Sequence, residues 1–260
     1  MPVSLLAWPG AVAIGISLGL LGSGGSILTV PVLVYLVGQD EKTAIAGSLF
    51  VVGSIALAGS LQYIRGRLID WRNVFVFGLP GMAGTYLGAS LATWVPGIVQ
   101  LALFALVMLL ASVLMLRPVR LSGATDAPRA PWKIASDGLI VGVITGLVGV
   151  GGGFLIVPAL VLLGGLAIHR AVATSLVIIA LKSFSGFVKY VDVLDKQNLE
   201  LDWPTLGVVA TLGIVGSFAG GRIGSRIPQR QLRSGFGVFL IVMGLYILAR
   251  SIPEVLRLAA

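Results

Sequence analysis

The sequence has no cysteine and a single histidine, His169. Disulfides are excluded, and with them thiolate and Cys/His metal centres. Charge is also scarce. Only 11% of the residues are Asp, Glu, Lys or Arg, where a soluble domain carries about a quarter. The acidic residues cluster between the apolar runs, and no Ser/His/Asp or Cys/His set lies within those runs. Asp137, alone near the edge of one run, does not supply the paired aspartates of an intramembrane protease. No enzyme, no cofactor and no metal site is expected. A cation carrier should place carboxylates within its spans, and none is evident.

What remains is overwhelmingly apolar. The 260 residues are 57% hydrophobic, include 36 glycines and have a mean hydropathy of +1.03. Uncharged stretches of about 20 residues read as membrane spans. Glycine suits such spans because small residues let helix backbones approach closely. The net charge of +8 reads as basic loops that set topology, with no nucleic-acid partner. The start, MPVSLLAWPG, lacks a basic region and runs straight into the first apolar segment, so no cleavable signal peptide is expected. The fold class predicted is an all-α polytopic membrane protein, surrounded by lipid bilayer, in a bacterial inner (plasma) membrane.

The chain repeats itself. GLLGSGGSILTVP starts at Gly19 and GLVGVGGGFLIVP at Gly146, an offset of 127. That offset persists without a gap to the pairs Gly59/Gly186 and Tyr63/Tyr190, and becomes 132 at Asp70/Asp202 and Trp71/Trp203. It then pairs Gly81, Gly84 and Gly88 with Gly213, Gly216 and Gly220, and Pro96 with Pro228. Chance similarity between apolar sequences would not hold glycine and proline spacing so far. The division predicted is a first transmembrane repeat over 1–116, a polar linker over 117–133 and a second repeat over 134–260. Each repeat has four apolar segments: about 11–37, 43–64, 71–93 and 97–116, then 136–164, 170–191, 203–225 and 231–249. The first of each four is interrupted by a glycine-rich stretch.

Charge bears on topology, because Lys and Arg favour the cytoplasmic side. If all eight segments cross, the two sides carry similar net charge. If the two broken segments dip in and return, one side collects twelve Lys and Arg and the other five. The re-entrant arrangement makes the halves inverted repeats, with the basic side cytoplasmic and both termini outside. A mixed case, with one broken segment re-entrant, stays open.

Irregular backbone at membrane depth is tolerated where protein or a water-filled cavity surrounds it. Gly22, Ser23, Gly24, Gly25 and Ser26, and likewise Gly149, Gly151, Gly152 and Gly153, should therefore not face lipid. About 11 residues on either side make roughly 16 Å of helix, or half a bilayer. The second half-helices would begin near Ile27 and Phe154, each with unpaired N–H groups and a positive dipole end. Two such ends meeting near the midplane would bind an anion. The competing reading is that these glycines serve only tight helix packing. Ser48 and Ser175, at matching positions, offer hydroxyl donors to an oxyanion or bonds within the bundle. Lys182, about seven residues inside its span, either attracts an anion or snorkels outward past Lys189. Its repeat partner is Ile55, so the charge is not ancestral. Tyr63, Tyr190, Trp71 and Trp203 read as interfacial anchors. Arg222, Arg226, Arg230 and Arg233 read as a basic cytoplasmic rim.

The doubled G-L-x-G-x-G-G motif followed by proline, in both halves of a chain of this length, resembles the TauE/SafE sulfite-exporter family. The resemblance covers nearly the whole chain. It implies a prokaryotic-type permease for small sulfur oxyanions or organosulfonates such as sulfite or sulfoacetate. One departure is that Ser23 and Ser26 of the first motif stand against Val150 and Gly153 of the second. The function expected is transport of a small anionic substrate, with coupling ion and homo-oligomerisation open. The alternatives are a non-transporting subunit that stabilises a partner complex, and a cation carrier.

Overall fold

The computed structural model describes residues 7–22, 24–64, 66–116, 130–149, 153–162, 166–224 and 226–259. The described residues form ten helices and no strand. The first half contributes α1 (Ala7–Leu21), α2 (Gly25–Val37), α3 (Glu41–Ile64), α4 (Trp71–Trp94) and α5 (Gly97–Leu116). The second contributes α6 (Pro131–Val148), α7 (Gly153–Leu162), α8 (Ile168–Lys196), α9 (Trp203–Gly224) and α10 (Gln229–Ala259). Five of them, α3, α4, α6, α8 and α9, are long and apolar enough to cross a membrane. The predicted boundaries of α4 and α9 agree with the observed ones to within one residue.

Local chemistry explains several of these ends. Asp70 caps α4 by accepting the Asn73 N–H at 3.1 Å, and Asp202 caps α9 by accepting the Thr205 N–H at 3.2 Å. Pro131 opens α6, where its missing N–H costs nothing. Pro31 interrupts the donor ladder of α2, and the turn after it, Val32–Val37, widens to π-type winding.

The helices pair across the halves. α1 packs along α9 and α4 along α6, in both cases in parallel. Gly15 meets Gly213 and Leu20 meets Gly224; Gly84 meets Leu139 and Gly88 meets Val143. A Cβ at Gly15, Gly84 or Gly88 would collide with the facing backbone, so both seams depend on glycine. The corresponding helices α3 and α8 run antiparallel. The Phe50 and Phe187 rings lie 5.4 Å apart, Gly53 faces Ser183 and Gly59 faces Leu176. α5 and α10 are antiparallel too, with Leu109 against Gly244 and Leu116 against Gly237. The core follows the α3–α8 pair, where Val51, Val52, Ile55, Leu176 and Ile179 are fully buried. Leu87, Leu110 and Val215 face outward, as suits a surface bathed by lipid.

α2 folds back on α1: Gly25 lies against Ile14 and Leu18, and Gly10 against Val32 and Leu36. The arms are longer than predicted. α1 begins at Ala7 and α6 at Pro131, giving 15 and 18 residues, or about 22 and 27 Å. Half a bilayer was expected. The helices take in Trp8-Pro9 and Pro131-Trp132, because a proline in the first turn of a helix needs no N–H partner.

Candidate substrate site

Both breaks turn on a glycine in the left-handed region, Gly22 at φ 67° and Gly149 at φ 74°. Each is held by the other half. Ser175 of α8 donates its hydroxyl to the Gly22 carbonyl at 3.1 Å, and Ser48 of α3 donates to the Gly149 carbonyl at 2.9 Å. Each hydroxyl also reaches a carbonyl of its own helix, Val172 and Ile45 respectively, at 2.8 Å. A Cβ on Gly22 would strike Val172, and one on Gly149 would strike Ile45. Every member of one cluster has its repeat equivalent in the other. The serine protons are therefore engaged by carbonyls that a helix end leaves orphaned.

The two breaks do not meet at mid-depth. Gly22 sits beside the start of α8 and the end of α9; Gly149 sits beside the start of α3. Since Leu176 faces Gly59, the breaks are separated along α3 by about 12 residues, or about 18 Å. The reason is the arm length: each first arm runs almost the length of the bundle before it turns. Gly24, Gly25 and Ser26 are buried at the first turn, and Gly153 is buried where α7 begins. Ser23, Gly151 and Gly152 lie outside the described residues.

Lys182 lies between the two breaks, near mid-depth, because its neighbour Ser183 faces Gly53 in the middle of α3. Its side chain is wholly buried, and its ammonium has no hydrogen-bond partner among the described residues. The lysine does not snorkel to the surface.

Tyr190 is a correction. It is fully buried rather than interfacial. Its hydroxyl donates to the Leu147 carbonyl at 3.2 Å and accepts from the Gln100 amide at 2.9 Å; that amide also reaches Leu147 at 2.6 Å. The end of α6 is thus closed by two side chains. Its equivalent Tyr63 is only partly buried. Beside the first break lies a cleft of about 250 Å³ lined by Leu20, Leu21, Leu28, Gln231 and Phe239 among others. Sequence reasoning missed Gln100, whose repeat equivalent is Leu232; a polar residue in one half alone was the available signal. It also missed Lys42, which is buried and donates to the Ala92 and Val95 carbonyls at 2.5 and 2.6 Å, capping the end of α4. Trp71 and Trp203 are about half exposed. His169 is exposed, and no cluster of potential metal ligands occurs among the described residues.

An all-helical, glycine-seamed bundle with apolar outer faces and five candidate spans defines a multi-pass membrane protein. The chain belongs to the sulfite exporter TauE/SafE family, whose pattern matches residues 7–247. A probable membrane transporter protein of Xylella fastidiosa (strain Temecula1) is 33% identical over 255 residues, covering 92% of each chain. Further relatives, each named a probable membrane transporter, come from Methanocaldococcus jannaschii (26% identical, 94% of this chain and 96% of the relative) and Bacillus subtilis (YunE, 30% identical, 82% and 84%). No solved structure matches the chain.

Proposed function

We propose that the protein is a permease, not an enzyme, in the bacterial inner membrane, and that it carries a small anion. Sulfur oxyanions and organosulfonates, such as sulfite or sulfoacetate, are the substrate class; the family description supports the sulfur chemistry. The observation that carries the sign of the charge is the interior. Among the described residues the buried charged side chains are Lys42 and Lys182, and no Asp or Glu is buried. An apolar interior whose buried ionisable groups are basic, with no carboxylate among them, suits an anion better than a cation.

The antiparallel course of α3 against α8, and of α5 against α10, supports halves that cross the bilayer in opposite senses. The end holding Gly22 gathers Arg67, Arg72, Arg170, Arg222 and Arg226 and is assigned to the cytoplasm. In this reading Gly22, Gly24, Gly25 and Ser26 with Ser175, and Gly149 and Gly153 with Ser48, line the two mouths of one anion path. Uptake by proteoliposomes, tested with sulfite, sulfate, thiosulfate and sulfoacetate beside a cation control, examines the substrate class. Passage of the cation and of none of the anions would overturn the proposal.

A further inference from the structure

The permease reading names a charge class but no binding group. α8 supplies a candidate at the centre of the bundle. The stem of Lys182 lies over Gly81 of α4, its Cδ 3.1 Å and its Cε 3.5 Å from where a Cβ on that glycine would stand. Gly81 itself belongs to the α4–α6 seam, packed against Gly142. Close approach of those two backbones makes the socket that the lysine fills. Ser185, one turn further along α8, fixes the register by donating to the Met82 carbonyl at 3.0 Å.

The repeat gives an internal control. Ile55 is the equivalent of Lys182, and it sits in the same way on Gly213, the equivalent of Gly81. The socket is therefore filled by an aliphatic side chain in one half and by lysine in the other. Packing accounts for the methylenes and leaves the ammonium unexplained. That ammonium is wholly buried and has no hydrogen-bond partner among the described residues. An unpaired charge in an apolar interior is among the least favourable groups a fold can hold. Lys42, the other buried cation, differs in having two carbonyl acceptors.

We infer that Lys182 is the binding group for the transported anion, its ammonium acting as counter-charge to a small oxyanion at mid-depth, between the two serine-held breaks. The inference rests on the permease reading and locates its site. Binding near the bilayer centre, at the interface of two repeats, is where a site can be reached in turn from either side. The asymmetry is part of the inference: one half contributes the charge and the other, through Ile55, an apolar wall.

The test compares wild type with Lys182→Ile, which copies the repeat equivalent, and Lys182→Arg, which keeps the charge. Thermal unfolding of the purified proteins in detergent is followed while sodium sulfite, sulfate or sulfoacetate is titrated at constant ionic strength; the same proteins are assayed for flux in liposomes. The expected result is a saturable rise in wild-type Tm with at least one of these anions. Lys182→Ile should be as stable as wild type or more stable without anion, with affinity weakened roughly 10- to 100-fold or more, the effect of losing one charge-assisted hydrogen bond and its ion pair. Lys182→Arg should keep part of the affinity. Unchanged affinity in Lys182→Ile, beside wild-type flux, would overturn this site and leave the permease standing. A lower anion-free Tm in Lys182→Ile would also overturn it, by making the lysine part of the fold. Neither flux nor a Tm response in wild type would overturn both.

Discussion

Ser175 donates a hydrogen bond to the carbonyl of Gly22, 153 positions earlier in the chain. Its repeat equivalent, Ser48, does the same for Gly149 across 101 positions. Each half therefore holds the turn of the other. The α1–α9 and α4–α6 seams tie the halves together in the same crossed fashion. Neither half completes its own packing, which is why the duplication reads as one bundle and not as two domains in series.

Removing either hydroxyl strands a buried carbonyl. Ser48→Ala and Ser175→Ala should each destabilise the protein by about 1–3 kcal/mol. The two effects should be of similar size because the two serine–glycine hydrogen bonds are repeat equivalents. Thermal unfolding in detergent checks this. A large effect at one serine and none at the other would break the equivalence.

Gly149→Ala meets two obstacles, the left-handed φ and the Ile45 side chain. The φ contributes about 1–2 kcal/mol, and the collision adds to it. Trimming the obstacle in Gly149→Ala/Ile45→Ala should recover part of the loss, so the double variant should be more stable than additivity of the two singles predicts. Strict additivity would show that the contact is not limiting.

The two equivalent tyrosines should respond differently. Tyr190→Phe removes a buried hydroxyl bonded to Leu147 and Gln100 and should cost about 1 kcal/mol or more. Tyr63→Phe alters a partly exposed group and should stay within about 0.5 kcal/mol. Equal losses would mean that the closure of the α6 end by Gln100 and Tyr190 is not a stabilising feature.

The absence of native cysteine makes single-cysteine labelling clean. Arg72 and Gln197 are both exposed and lie at opposite ends of the bundle. A membrane-impermeant maleimide should label Gln197→Cys on intact spheroplasts, and Arg72→Cys only after lysis. The opposite pattern, or labelling of both from outside, would contradict the assigned orientation.

The linear positions of the helices were legible because long apolar runs bounded by Asp70-Trp71 or Asp202-Trp203 leave little latitude. The breaks were legible as glycine clusters, and their duplication pointed to Ser48 and Ser175. What those serines bind was not legible, because their acceptors lie in the other half. Tyr190 was misplaced for a related reason. In a span that is apolar on all sides, hydropathy does not distinguish a face turned to lipid from one turned to protein, since both are apolar. The glycines carried that information instead: Gly15, Gly84 and Gly213 mark the seams. Their partners became evident only once helices from the two halves were paired. The arms were read too short at their starts, where Pro9 and Pro131 stand in the first turns of α1 and α6.

The central claim is that a small sulfur-containing anion crosses the membrane through this protein. Purified protein in sealed liposomes, supplied with radiolabelled sulfite, measures that directly. The account predicts uptake that is faster than in protein-free liposomes, that saturates, and that sulfoacetate inhibits while a potassium control does not cross. Uptake no faster than in protein-free liposomes for sulfite, sulfate, thiosulfate and sulfoacetate alike would contradict it.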